Sequence, residues 1–303
     1  MATELISKIV QKDFKSIARA ISLVENESPG YEDFLRQLPS SNTFVIGITG
    51  PPGAGKSTLV DALMSKMIKE NNTVAVLCVD PSSPFNLGAL LGDRIRMSDW
   101  YIHPNVFIRS LATRGSLGGL APKILEFTDI MKAAGFDYII IETVGVGQSE
   151  VEIAGLADVT VVVMVPEGGD EIQTMKAGLM EIADIFVVNK SDRPGADAFE
   201  KNLKLKLAPA FQSKEKEIAI IKTIASQKEG IDDLYSEILD HRRNEKSSSK
   251  KNILLTEKAF HLIQQQRMKD IDKEDLKLKL NQADSDSFNL YEFVWQYVYS
   301  NNR

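Results

Sequence analysis

The chain has 303 residues, 43% hydrophobic and 26% charged, with 36 Lys and Arg against 42 Asp and Glu for a net charge of −6. That balance suits one large or two modest globular domains and excludes a disordered, collagen-like or disulfide-stapled chain. An acidic chain is a poor partner for phosphate backbones, so no nucleic-acid partner is expected.

Residues 1–24 carry Leu5, Ile9, Phe14, Ile17 and Ile21 at steps of three to five, the spacing of one amphipathic helix. Pro29 and Gly30 break it. Lys8, Lys12, Asp13 and Lys15 interrupt the apolar residues, unlike a secretory leader. From Asn42 the texture changes to short apolar runs: Phe44–Ile48, Val74–Val79, Val106–Ile108, Tyr138–Ile141, Val159–Val165, Ile185–Val188 and Ile218–Ile221. Apolar runs without alternation suit strands buried on both faces of a parallel sheet, and helical segments such as Leu59/Leu63/Met67 supply the crossovers. The expected class is α/β, a mostly parallel doubly wound sheet flanked by helices. The longest apolar run, Val159–Val165, is far short of the roughly 20 residues that span a bilayer. A cytoplasmic protein without a membrane partner is the expectation.

The polar, charged stretch from Arg242 to Asn252 reads as a linker. Beyond it come a helix with Leu255, Ala259, Leu262 and Ile263 and an aromatic helix from Phe288 to Tyr299. The single Cys78 alternates with Val74 and Val76 and reads as a buried strand residue. His103, His241 and His261 share no ligand spacing, so no cysteine or histidine metal cage is expected.

Gly50-Pro51-Pro52-Gly53-Ala54-Gly55-Lys56-Ser57-Thr58 fits the phosphate-loop pattern G-x-x-x-x-G-K-[ST], between an expected strand and an expected helix. Glycines let the backbone curl until its N–H groups face phosphate oxygens, and the helix start adds partial positive charge. Lys56 is expected on the β- and γ-phosphates and the Ser57 hydroxyl on Mg²⁺. A P-loop NTPase fold follows.

A second motif chooses the base. Asn189-Lys190-Ser191-Asp192 ends an expected strand, and the Asp192 carboxylate can accept both N1–H and N2–H₂ of guanine. Adenine would leave it unpaired, a mismatch that discriminates strongly. Asn189 is expected to tie this loop to the phosphate loop, and the Lys190 stem to cover the base. GTP and GDP are the expected nucleotides. A third element, Glu142-Thr143-Val144-Gly145, stands where most GTPases have Asp-x-x-Gly. The Gly145 amide can meet a γ-phosphate, and Glu142 can act at Mg²⁺ or its waters.

Glu142, with Asp80 ending the second strand, resembles the metallochaperone branch of the SIMIBI-class GTPases. Five further segments narrow the likeness: Val79–Pro84, Gly92–Met97, Leu111–Leu120, Glu142–Glu150 and Gly169–Gly178. All resemble the MeaB/ArgK subfamily, the GTPases associated with adenosylcobalamin-dependent methylmalonyl-CoA mutase, over about residues 15–240. The resemblance places Asp93 in switch I near Mg²⁺ and has Asp80 join or orient the metal's water shell. It makes Glu142–Gln148 switch II and Asp170–Lys176 a loop coupled to the client. Thr223-Ile224-Ala225-Ser226 takes the place of the loop whose backbone amide contacts the guanine carbonyl, with Ile224 where serine is usual.

The implied organisation is an N-terminal helical extension (1–41), a GTPase domain (42–241), a linker (242–252) and a C-terminal helical dimerisation segment (253–303). Val146 occupies the position of the water-orienting glutamine of Ras-type proteins, so slow intrinsic hydrolysis is expected, on the order of 10⁻⁴ to 10⁻² s⁻¹. Lys56, Asp93, Glu142 and Gly145 are the catalytic candidates, and the sequence does not choose among Arg94, Arg96 and Arg114 as a further charge. The resemblance implies a chaperone that gates adenosylcobalamin loading and guards an acyl-CoA mutase. A metallochaperone for another client and a small-molecule kinase are the alternatives. Six aromatics, Phe288, Tyr291, Phe293, Trp295, Tyr297 and Tyr299, together with the resemblance to dimers, point to a homodimer.

Overall fold

Seven strands form one parallel sheet, and each coincides with a run expected from sequence: β1 (Phe44–Thr49), β2 (Val74–Asp80), β3 (Val106–Ala112), β4 (Tyr138–Glu142), β5 (Val159–Met164), β6 (Ile185–Asn189) and β7 (Ala219–Thr223). Their order is β3-β2-β4-β1-β5-β6-β7. The computed structural model describes residues 2–80, 97–113, 121, 123–144, 149–167, 182–211, 218–243, 249–268, 271–282 and 288–300. The α/β class and the doubly wound arrangement are as the sequence predicts.

Successive strand residues enter different cores, which is why the runs lack alternation. On one face Phe44, Ile46, Ile48, Val76 and Val161 pack with Leu59 and Leu63 of α4 (Lys56–Lys69) and with Leu234 and Ile238 of α8 (Ile231–Arg243). On the other face Val45, Leu77, Ile139 and Ile141 pack with α5 (Ile124–Ala133), α6 (Ser149–Leu156) and the N-terminal helices. Beside β5 and β6, Phe199 and Leu203 of α7 (Ala196–Phe211) cover Val162, Phe186 and Val188.

The N-terminal region differs from the expected single helix. It forms α1 (Ala2–Val10), α2 (Phe14–Glu25) and α3 (Tyr31–Arg36). The break between α1 and α2 is made by Lys12, in the left-handed region at φ 58°, and by Asp13, whose carboxylate accepts from the Ser16 amide at 2.9 Å. Ile9, Ile17, Ile21 and Phe34 are buried in the same core as Val45 and Leu77, so these helices are part of the sheet's cover.

At the opposite edge from the phosphate loop, three aspartates each stand just before a strand. Asp158 accepts from the Val45 amide at 2.7 Å, Asp184 from the Thr160 amide at 2.8 Å, and Asp137 from the Thr73 amide at 2.7 Å. Each bond joins neighbouring strands.

The chain divides into two compact units after Leu254. Helix α9 runs Ser249–Arg267, so the residues expected as linker are helical at both ends: α8 reaches Arg243 and α9 begins at Ser249. The second unit also holds α10 (Lys273–Asn281) and α11 (Leu290–Ser300). Helix α10 was not expected, because Leu276, Leu278 and Leu280 alternate with lysines in a strand-like period. Asp272 starts it by accepting from the Glu274 amide at 2.9 Å. Within this unit Phe293 packs near Phe288 and Tyr297, with ring centroids 6.0 and 6.2 Å apart, while Lys279 lies over the Tyr297 ring at 4.8 Å. Tyr291, Val294 and Trp295 stay exposed on α11. Among the described residues no helix is long and apolar enough to cross a membrane.

Candidate functional site

The chain leaves β1 toward β2 on one side of the sheet and leaves β5 toward β6 on the other, so β1 and β5 flank the crevice where doubly wound sheets bind ligands. The phosphate loop fills that position. Gly50 has φ 140°, and a Cβ there would lie 2.1 Å from the Val163 carbonyl oxygen on β5. Gly55 has φ 89°, and a Cβ would lie 2.4 Å from the Asn189 side-chain nitrogen. At both positions glycine is required by backbone angle and by space.

The loop ends in the first turn of α4, which carries Lys56 and Ser57. Lys56 is buried, and its Nζ donates to the carbonyls of Gly50 at 2.9 Å and Pro51 at 3.0 Å. Ser57 Oγ donates to Glu142 Oε1 at 2.6 Å. Beside this bond, the hydroxyls of Thr49 and Thr143 are 2.9 Å apart, joining the ends of β1 and β4.

Cys78 of β2 pairs with Glu142 of β4, so Asp80, two residues on, shares a sheet face with Glu142. Ser57, Asp80 and Glu142 are all buried, at 6%, 5% and 3% exposure. One hydroxyl and two carboxylates form an all-oxygen donor set, the kind that suits Mg²⁺ shared with phosphates and water. Among the described residues no group of three or more His, Cys, Asp or Glu could hold a metal alone. The all-oxygen donor set therefore fits a nucleotide-associated Mg²⁺.

Asn189 ends β6 almost fully buried. Its side-chain NH₂ donates to the Ala54 carbonyl at 2.9 Å, the tie to the phosphate loop expected from sequence. Its carbonyl oxygen accepts from Thr223 Oγ1 at 3.0 Å and from the Ala225 amide at 3.1 Å. One carboxamide thus joins three segments. Lys190, at φ 55°, donates from Nζ to the Gly53 carbonyl at 2.7 Å, so its stem lies along the phosphate loop. Asp192 is exposed, and Ser226 is exposed beside the buried Ala225. Ile224 makes a backbone bridge with Glu229, so its side chain does not determine the loop's path.

Asp93, Gly145, Val146, Gln148, Arg94, Arg96, Arg114 and the segment Asp170–Lys176 lie outside the described residues. Two contacts carry no sequence signal. Lys228 donates to Ser65 Oγ at 2.9 Å across 163 residues, and Arg193 pairs with Glu167 across 26. The Thr223 hydroxyl that orients Asn189 is more legible, since it opens the expected Thr-x-Ala loop.

The family model described as methylmalonyl Co-A mutase-associated GTPase MeaB matches residues 17–279. A protein of Pyrococcus abyssi named as a GTPase is 49% identical over 250 residues, covering 80% of this chain and 76% of that one. GTPase ArgK of Escherichia coli is 37% identical over 249 residues, covering 79% and 75%. Among solved structures, one titled LAO/AO transport system kinase superposes with a TM-score of 0.66 at 27% identity, covering 89% of this chain and 84% of that one.

Proposed function

Because this chain is a GTPase of the MeaB family, the methylmalonyl Co-A mutase-associated GTPases, we propose that it is a nucleotide-driven chaperone whose client is an adenosylcobalamin-dependent acyl-CoA mutase. In this reading it gates cofactor loading and protects or reactivates the mutase, as a cytoplasmic homodimer. The observation that carries the switch reading is Asn189, whose single carboxamide holds the phosphate loop and the Thr223–Ala225 loop together. A nucleotide lying across those segments meets one connected unit.

In the proposed site, Gly50–Thr58 cradles the phosphates and Lys56 exchanges its two loop carbonyls for phosphate oxygens. Asp192 accepts from guanine N1–H and N2–H₂, Lys190 covers the base, and the loop Ile224–Ser226 borders the guanine carbonyl. The Ala225 amide donates to Asn189, which fixes this loop beside the phosphate loop. Mg²⁺ would be held by Ser57, with Asp80 and Glu142 ligating directly or through water, and would neutralise phosphate charge. Asp93 is assigned to switch I near Mg²⁺ through the family pattern, and the Gly145 amide to the γ-phosphate through the Glu-x-x-Gly motif.

Titration with a fluorescent GDP, followed by hydrolysis with and without the cognate mutase, tests the reading. Tight Mg²⁺-dependent binding, slow release of free phosphate and nucleotide-dependent cofactor transfer to the mutase are expected. Transfer of label from GTP to arginine or ornithine would instead favour a kinase.

A further inference from the structure

The turn after β6 is held from three directions. Asn189 and Lys190 bind it to the phosphate loop, and the Ser191 amide donates to the Thr223 carbonyl at 3.1 Å. The Arg193 amide returns to the Lys190 carbonyl at 3.0 Å and closes a four-residue turn with Asp192 exposed near its tip. The third hold lies downstream, where the Arg193 guanidinium pairs with Glu167, three residues beyond β5. Strands β5 and β6 are neighbours, with Met164 beside Val188, so this pair bridges two loops leaving adjacent strands.

We propose that Arg193, clamped by Glu167, is a positioning residue for base specificity: it fixes the downstream arm of the turn and so aims the Asp192 carboxylate at guanine. This rests on the reading of Asp192 given above. Guanine presents N1–H and N2–H₂ side by side, whereas hypoxanthine presents N1–H alone. A carboxylate held in one orientation collects both donors. One that swings keeps the single bond nearly as well but loses the paired one. Loosening the turn therefore weakens GDP more than IDP.

The ion pair is solvent-accessible, at 46% and 51% side-chain exposure, so its effect is modest and salt-sensitive. The guanidinium hydrogen bond holds the Glu167 carboxyl below its usual range, which keeps the pair ionised at neutral pH.

Calorimetry on the full chain, with GDP and IDP at low and high salt, provides the test. Compared with wild type, Arg193→Gln and Glu167→Gln should each lower the IDP-to-GDP ratio of dissociation constants about threefold. The exchange Arg193→Glu with Glu167→Arg should restore it, and high salt should lower the wild-type ratio toward that of the single variants. Thermal midpoints, which general loosening of the fold would shift, should stay near wild type. Ratios unchanged in both single variants, or a charge exchange as poor as they are, overturn the inference. IDP binding as tightly as GDP in wild type overturns instead the reading of Asp192.

Discussion

Ser57 and Glu142 lie 85 residues apart in sequence and are joined by a 2.6 Å hydrogen bond between the first turn of α4 and the end of β4. The serine hydroxyl donates in that bond and keeps oxygen lone pairs for other partners. It can therefore remain bound to Glu142 while its oxygen ligates a cation. Glutamate is one methylene longer than the aspartate usual at this position, and the bond shows that its reach spans the gap from β4 to α4.

Glu142→Gln preserves an acceptor for Ser57 and removes the charge. Turnover should fall by about 10²-fold, and the Mg²⁺ concentration giving half-maximal activity should rise. GDP affinity measured in EDTA should change little. An unaltered Mg²⁺ midpoint would remove Glu142 from the metal site.

Asn189→Ala leaves the Ala54 carbonyl, the Thr223 hydroxyl and the Ala225 amide without this shared partner. Loss of three bonds at one buried position should cost about 2–4 kcal/mol of stability, read from urea unfolding. GDP affinity should drop at least tenfold, by about 1.4 kcal/mol or more. A variant that unfolds early yet binds GDP normally would show that the junction serves the fold alone.

Asp192→Asn replaces acceptors with a donor on one side of the amide. GTP binding should weaken and xanthosine triphosphate binding should strengthen, because xanthine carries a carbonyl at position 2. Competition against a fluorescent GDP reads both. Equal GTP affinity in the variant and wild type would sink the assignment.

Strands β1, β2, β4, β5 and β6 were legible because a strand buried on both faces is a continuous apolar run, as in Tyr138–Ile141 and Val159–Val165. The less buried outer strands β3 and β7 showed in the runs Val106–Ile108 and Ile218–Ile221. The phosphate loop was legible for a different reason: the backbone at Gly50 and Gly55 leaves no room for a side chain. The start of α2 was hidden because Leu5, Ile9, Phe14 and Ile17 keep a helical rhythm across the break. Lys12 and Asp13 carry no apolar signal, although Asp13 is a good N-cap. Helix α10 was hidden by its alternating leucines, which imitate a strand. The Arg193–Glu167 pair was invisible because two charges 26 residues apart meet only through the adjacency of β5 and β6.

The proposed homodimer has a specific surface to use. Tyr291, Val294 and Trp295 recur at helical spacing on α11 and are 87%, 50% and 59% exposed. Light scattering at micromolar concentration should give twice the chain mass, and deletion of residues 286–303 should shift it toward the monomer. A wild-type monomer, or a deletion that stays dimeric, would reject this surface.

The mutase is expected to raise GTP hydrolysis severalfold. A tenfold rise needs only about 1.4 kcal/mol of transition-state stabilisation, which one new charge-assisted bond can supply at about 1.5–3 kcal/mol. Lys176→Ala should blunt the stimulation while leaving GDP affinity nearly unchanged. A mutase that binds without altering phosphate release would end the coupling idea.

The three aspartates at the lower edge of the sheet answer a difficulty that the two-sided core creates. Where one sheet face is wet, a strand that slips by one residue drives polar groups inward and is rejected. Here a slip exchanges one greasy face for another, and burial discriminates weakly between the two alignments. Asp137, Asp158 and Asp184 each bond one amide of the adjacent chain segment, so a displaced strand forfeits a hydrogen bond near its start. These carboxylates act as alignment marks: they let the inner strands be oily on both faces and still carry Asp80, Glu142 and Asn189 to the strand ends at the upper rim.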